Sequence, residues 1–310
     1  MRAEDIASGK AKGVDPDEII SAVEGMAQSE ARTAALLRLL RSGQGLVVST
    51  RELAALRRQV EKFVTAYAAD AKGFAQAFDG WLGEVQRGLL RDAEIDLDTA
   101  LFGRMVAAAP IFNVEAAASV SHAVTTHAFT VEGDYFSAGE ELNLLGETGA
   151  AITSYAFFGS GIYYQHAVLD LGLLRHNLLN GRSDDDMSAL VRQAVELLLD
   201  GLVFAQPKGK RHSFASDVAA GYLITDIGPG PALNLATAFL DPIRVGQADP
   251  MIASIRRLTD FHAVLGKAYG LSRQSLTFNG WPTARSGNEE PDGEFWDYGA
   301  LKSKILDRVA

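Results

Sequence analysis

From about Leu101 the sequence changes texture, and no other feature limits the possible folds as much. The first 90 or so residues hold apolar side chains at helical spacing: Ile19, Ile20, Val23 and Met26, then Leu36, Leu37, Leu39 and Leu40. Ser49 and Glu52 have the spacing of a capping box ahead of Leu53, Leu56 and Val60. Beyond them come runs of β-branched, aromatic and small residues, over Ala100 to Val106, Ala118 to Val131 and Tyr155 to Leu171, which predict strands. Helices are expected over Gly172 to Asn180, Asp184 to Phe204 and about Pro250 to Tyr269, with a strand from Asp217 to Thr225. Gly228-Pro229-Gly230-Pro231 is punctuation, and the acidic stretch from Ser286 to Tyr298 reads as a loosely held tail with Trp296 and Tyr298 as docking points. A few strands among many helices, without regular alternation, predict an α+β core.

At 310 residues and 47% hydrophobic, the chain can build one large or two ordinary domains. It has no cysteine, which removes a disulfide scaffold, a thiolate metal site and a cysteine nucleophile together. No apolar run approaches the roughly 20 residues of a membrane span. The segment behind Met1 has no apolar core of the signal-peptide kind, so a cytoplasmic protein without a membrane partner is expected.

The formal net charge of −10 argues against an indiscriminate nucleic-acid binder, but it is unevenly spread. From Met105 through Leu174 there is no Lys or Arg, while Glu115, Glu132, Asp134, Glu140, Glu141, Glu147 and Asp170 supply seven acids. Arg32 to Lys62 is the opposite, with seven cations against Glu52 and Glu61, and suits either a solvated helix face or a phosphate-contacting one. Pro207 to His212 is a short basic turn. Any nucleic-acid contact in the cation-free span must use hydroxyls, backbone N–H groups, imidazoles, aromatic faces or Met105. Glu132 to Ala151, acidic and broken by Tyr135-Phe136, reads as a long excursion from the sheet.

Candidate chemistry is sparse. His122 and His127, five apart, point to opposite faces of a strand and about 140° apart on a helix, so one element cannot bring both to one ion. Each imidazole is expected to cap a backbone group or to bond a phosphate or base. Asp184-Asp185-Asp186 reads as a helix start rather than a magnesium cluster. Gly159-Ser160-Gly161 lacks the nucleophile-elbow frame, and its glycines are expected to admit a close backbone approach. No phosphate-loop, dinucleotide or zinc-protease motif is present, so no catalytic residue, metal or cofactor is expected.

Three motifs carry a resemblance. Asp96-Leu97-Asp98-Thr99-Ala100-Leu101-Phe102-Gly103-Arg104-Met105, then Ser119-Val120-Ser121-His122-Ala123-Val124-Thr125-Thr126-His127, then Phe158-Gly159-Ser160-Gly161-Ile162-Tyr163-Tyr164 resemble, in order and spacing, the CasC family. These are the RAMP-type backbone subunits of the type I-E CRISPR Cascade complex. The resemblance implies an RRM-like (ferredoxin-like) palm over 95–270, a helical fingers region over 1–94, a thumb inserted at about 130–155, and a tail over 271–310. Family members begin with a palm strand and basic helix that this sequence lacks, which implies an N-terminally truncated palm.

The same resemblance implies a non-catalytic subunit. Six copies stack along the CRISPR RNA, kink every sixth nucleotide and present the rest for pairing with target DNA, beside the other Cascade subunits. Met105 matches the wedge at the kink, with Arg104 next to it, and Ser121, Thr125 and His127 fall in the second RNA-facing motif. Tyr135 and Phe136 match an aromatic pair on the thumb, Ile152 and Thr153 lie where the thumb returns, and Lys208, Lys210 and Arg211 form a basic loop near the palm. A flexible, uncharged methionine suits a wedge that unstacks bases without reading them. The alternative is a RAMP-fold endoribonuclease using His122 or His127, or a type III-like backbone subunit that cleaves RNA with Asp134.

Overall fold

The computed structural model describes residues 47–67, 95–107, 110–128, 131–139, 150–179, 184–205, 207–244, 246, 249–271, 273–281 and 293–309, together with 73, 77, 78, 80 and 81. The expected helices before Val47 and the acidic stretch 140–149 lie outside the described residues. The elements in chain order are α1 (Thr50–Ala66), α2 (Leu97–Phe102), β1 (Ala118–Val120), β2 (Val124–Thr125), β3 (Glu132–Gly139), β4 (Ala150–Phe158), β5 (Tyr163–Tyr164), β6 (Ala167–Leu169), α3 (Leu171–Leu178) and α4 (Asp184–Phe204). They continue with α5 (Arg211–Phe214), β7 (Tyr222–Ile227), α6 (Pro250–Ala268), β8 (Gln274–Asn279), β9 (Glu294–Phe295) and α7 (Tyr298–Val309). This is an α+β fold whose described strands form ladders of two or three. It divides into two compact units built from interleaved stretches of chain.

The first unit takes the described residues up to Ser119, then Leu169–Gly201 and the chain from Leu306. Its α1 opens on the anticipated capping box and buries Val60, Phe63 and Val64. Phe63 stacks on Trp81 with ring centroids 4.6 Å apart. In α3 and α4, Leu174, Leu178, Val191 and Ala194 recur at helical spacing and are fully buried. Asn177 Nδ2 donates to the carbonyls of Ala100 and Glu115, tying α3 to the chain around α2. The run from Ala100, whose texture predicts a strand, instead opens on the last residues of helix α2. Asp96 holds the entry of that helix by accepting from Thr50 N and Oγ1, and Gly103 at φ +73° ends it. In so short a stretch these end conditions outweigh residue texture.

The second unit comprises Val120–Val168 and Leu202–Ile305. Its largest sheet has the order β7-β8-β9, with β8 antiparallel to β7 and parallel to β9. The strand anticipated from Asp217 begins only at Tyr222, because Asp217 instead pairs with Arg211 at 3.0 Å. Helix α6 starts where expected: Asp249 caps Met251 N at 2.8 Å, and Pro250 supplies the first helical residue. Of the tail expected to be loosely held, residues 286–292 lie outside the described residues, and the part from Gly293 on is overturned. Glu294–Phe295 joins the sheet, and α7 buries Leu301, Ile305, Leu306 and Val309. The ring of Tyr298 takes edge contacts from Phe204 and Phe278 at 5.4 and 5.9 Å, so the acidic composition hid a packed apolar stripe.

Candidate nucleic-acid interface

In the first unit the sequence Gly103-Arg104-Met105 turns one side chain in and the next out. A Cβ on Gly103 would lie 2.6 Å from the Val114 carbonyl oxygen and 2.9 Å from Ala116 N, so only glycine fits. Arg104 then makes a two-way backbone bridge with Val114, both bonds 2.9 Å. Its guanidinium runs inward, donating from Nη1 to Glu52 Oε1 at 2.6 Å and from Nε to the Phe112 carbonyl at 3.2 Å. The two side chains are 2% and 0% exposed. Glu52 therefore serves twice, since its Oε2 accepts from Ser49 N at 2.7 Å in the capping box. Extended backbone alternates, so Met105 faces out and is 77% exposed, held by Val106 N donating to Asn113 Oδ1 at 2.6 Å. Arg104, which the resemblance places among the RNA-binding residues beside Met105, is buried, with its guanidinium bonded to Glu52 and the Phe112 carbonyl.

In the second unit, Ser121 to His127 is fixed by its polar groups. Ser121 Oγ accepts from His166 N at 3.0 Å and donates to the His122 carbonyl. His127 is buried, with Nδ1 donating to the Ala128 carbonyl at 2.9 Å and Nε2 accepting from Ile162 N at 3.1 Å, so both ring nitrogens are spent on backbone. Thr126 bonds Ser254 Oγ at 2.8 Å, Thr125 is half-buried and His122 is exposed. The close approach anticipated at Gly161 is not needed, because a Cβ there would lie 3.6 Å from Thr125, an ordinary contact.

The excursion is a β-hairpin. Its register pairs Tyr135 with Tyr155, Gly133 with Phe157, Phe136 with Ser154, Ser137 with Thr153 and Ala138 with Ile152. Tyr135 and Phe136 thus occupy opposite faces and cannot act as one pair. The side chains that join Tyr135 are Tyr155, at 5.2 Å between ring centroids, and beyond it Phe157, 6.3 Å from Tyr155. Sequence reasoning missed both, although the period-two run Thr153, Tyr155, Phe157 was available to find them. Next to Phe157 in β4 but on the opposite face, Phe158 meets Phe214 at 6.1 Å, and Lys210 Nζ lies 5.8 Å over that ring. The exposed turn bearing Lys208, Lys210 and Arg211 therefore adjoins the base of the hairpin. Arg211 is shared with Asp217 at 3.0 Å.

A separate cluster joins α6 to the sheet. His262 Nε2 bonds Asp226 at 2.9 Å, Ser275 Oγ donates to the same carboxylate at 2.6 Å, and Arg273 lies 3.9 Å away. The bond to Asp226 raises the His262 pKa, against its burial. Burial alone would raise Asp226, but the bonds from His262 and Ser275 and the two nearby cations hold it below the usual carboxylate value. Ser275 faces the carboxylate and not the imidazole, so the three do not form a nucleophile–base relay. Among the described residues no group of three or more His, Asp or Glu side chains could hold a metal ion, and no helix is long and apolar enough to cross a membrane.

The described chain is thus an α+β fold with an outward methionine on an anchored loop in the first unit, and an aromatic hairpin and a basic turn in the second. The family model of the CT1975-like protein matches residues 3–292, and the chain belongs to that family. Its fold is similar to that of a chain described as "CRISPR RNA-guided surveillance complex, pre-nicking", at TM-score 0.67 and 17% identity over 95% of this chain and 83% of that one. A second similar chain, of a "CRISPR RNA-guided surveillance complex", gives TM-score 0.57 and 20% identity over 86% and 88%. No curated protein matches.

Proposed function

We propose that this protein is a non-catalytic CRISPR-RNA-binding backbone subunit of a type I-E Cascade surveillance complex, whose copies, six in the family, line the guide and present it for pairing with target DNA. In this reading its RRM-like palm carries the RNA, with the hairpin as thumb, and it works in the cytoplasm beside other Cascade subunits. The observation that carries it is the placement of Met105: in a family and fold of this kind, an uncharged side chain 77% exposed stands on a loop fixed by the Arg104–Glu52 pair. Such a wedge separates stacked bases without reading them, and specificity is left to guide pairing. Ser121, Thr125 and Thr153 supply uncharged contacts in this reading, and Lys208 and Lys210 meet phosphate. Arg104 and His127, being spent internally, position their neighbours.

The test is chemical probing of the guide held in the assembled complex. Reactivity recurring at every sixth nucleotide, weakened by Met105→Ala, is the expected result; a pattern indifferent to that substitution sinks the wedge. The RNA-cleaving alternative rests on Asp134, exposed in β3 opposite Ala156. It predicts cleavage of bound RNA that Asp134→Ala abolishes.

A further inference from the structure

The basic turn between α4 and β7 carries its own acid. Its base closes where Ala220 N donates to the Val203 carbonyl at 3.0 Å, and every residue from Pro207 to Ala219 is exposed. Lys208, Lys210 and Arg211 give the turn three cations, and Asp217 is the one acid between Asp200 and Asp226. The Arg211 guanidinium grips that acid with two nitrogens, Nε donating to Oδ2 at 3.2 Å and Nη2 reaching Oδ1 at 3.0 Å. Two N–H groups on two oxygens is also the way arginine takes a phosphate, so the carboxylate fills the place a phosphate would occupy. The side chains are 54% and 57% exposed, so water screens the pair and another anion can displace the carboxylate. The backbone between the partners is strained. Lys210 at φ +53° and Ala215 at φ +45° bracket α5 in the left-handed region, and the Arg211–Asp217 pair closes over that turn.

We propose that Asp217 is autoinhibitory, an internal stand-in for phosphate that withholds Arg211 from the RNA backbone. This rests on the RNA-binding reading above and adds to it how the basic turn is regulated. With the pair closed, the turn offers RNA its two lysines. With Asp217 displaced or neutralised it offers three cations, and the left-handed turn loses the clasp that closes it.

Binding of a fluorescently labelled single-stranded RNA to the purified full-length protein, followed over a series of salt concentrations, tests it. Asp217→Asn keeps the shape of the side chain and removes its charge. It should tighten binding about three- to fivefold at low salt and steepen the salt dependence by about 0.7, the slope of one added phosphate contact. In an Arg211→Gln background the same substitution should leave the slope unchanged and shift affinity by less than about twofold, which separates a withheld arginine from plain repulsion between Asp217 and RNA. Both side chains are exposed, so the urea midpoints of all four proteins should agree closely. An equal gain in both backgrounds, or no gain from Asp217→Asn in either, would overturn the autoinhibition and leave the RNA-binding reading in place. If none of the four proteins binds RNA, the RNA-binding reading itself is defeated, and the autoinhibition with it.

Discussion

Two adjacent side chains divide the work of one loop. Arg104 is spent on Glu52, the Val47 and Phe112 carbonyls and the core, and Met105 is left free by it. Removing one partner from a buried pair strands the other charge, so Glu52→Ala should lose about 3–5 kcal/mol in a urea titration. Gly103→Ala should also destabilise, because a Cβ there meets fixed backbone at 2.6 Å. Met105→Ala should shift stability by less than about 0.5 kcal/mol, which separates a wedge from a core methionine. The motif around these residues was legible in sequence, but the inward turn of Arg104 was not. Its partner is 52 positions away, and no local spacing pattern reports such a pairing.

Periodicity over long helices was legible, as α3, α4 and α6 show. Short elements were not: Leu97–Phe102 took its state from its ends, and α7 drew its place in the core from Leu301 and Ile305 despite the acidic chain before it. In the hairpin, the period-two run Thr153, Tyr155, Phe157 was present in the sequence, but only the register showed that Tyr135 joins its face. The link from α6 to β7 and β8 also depends on pH. The pKa of His262 is raised in the fold, so its contribution is complete below the unfolded value, near 6.5, and is lost as pH rises through the folded one. Asp226, being lowered, contributes above its unfolded value near 3.8 and is lost only as pH falls through its depressed one. The stability difference between wild type and His262→Gln should therefore be larger at about pH 5.5 than at about pH 8.5, measured as urea midpoints. An equal difference at both would show that the imidazole does not titrate in this pairing.

For the whole molecule, a net charge of −10 coexists with nucleic-acid binding if the cations are few and grouped. Seven of the ten net charges arise in the cation-free span that carries Met105 and the hairpin rings, whereas Lys208, Lys210 and Arg211 stand together in one exposed turn. Lys208→Glu with Lys210→Glu should weaken RNA binding and flatten its salt dependence by about 0.7 for each phosphate the turn no longer neutralises. The central claim, that this chain is a guide-carrying subunit, is tested most directly by purifying it after co-expression with the neighbouring complex genes and a guide locus, then extracting nucleic acid. The account predicts an assembly holding several copies of the chain on one protected guide RNA. A monomer free of RNA, recovered while the partner proteins are present, would contradict it.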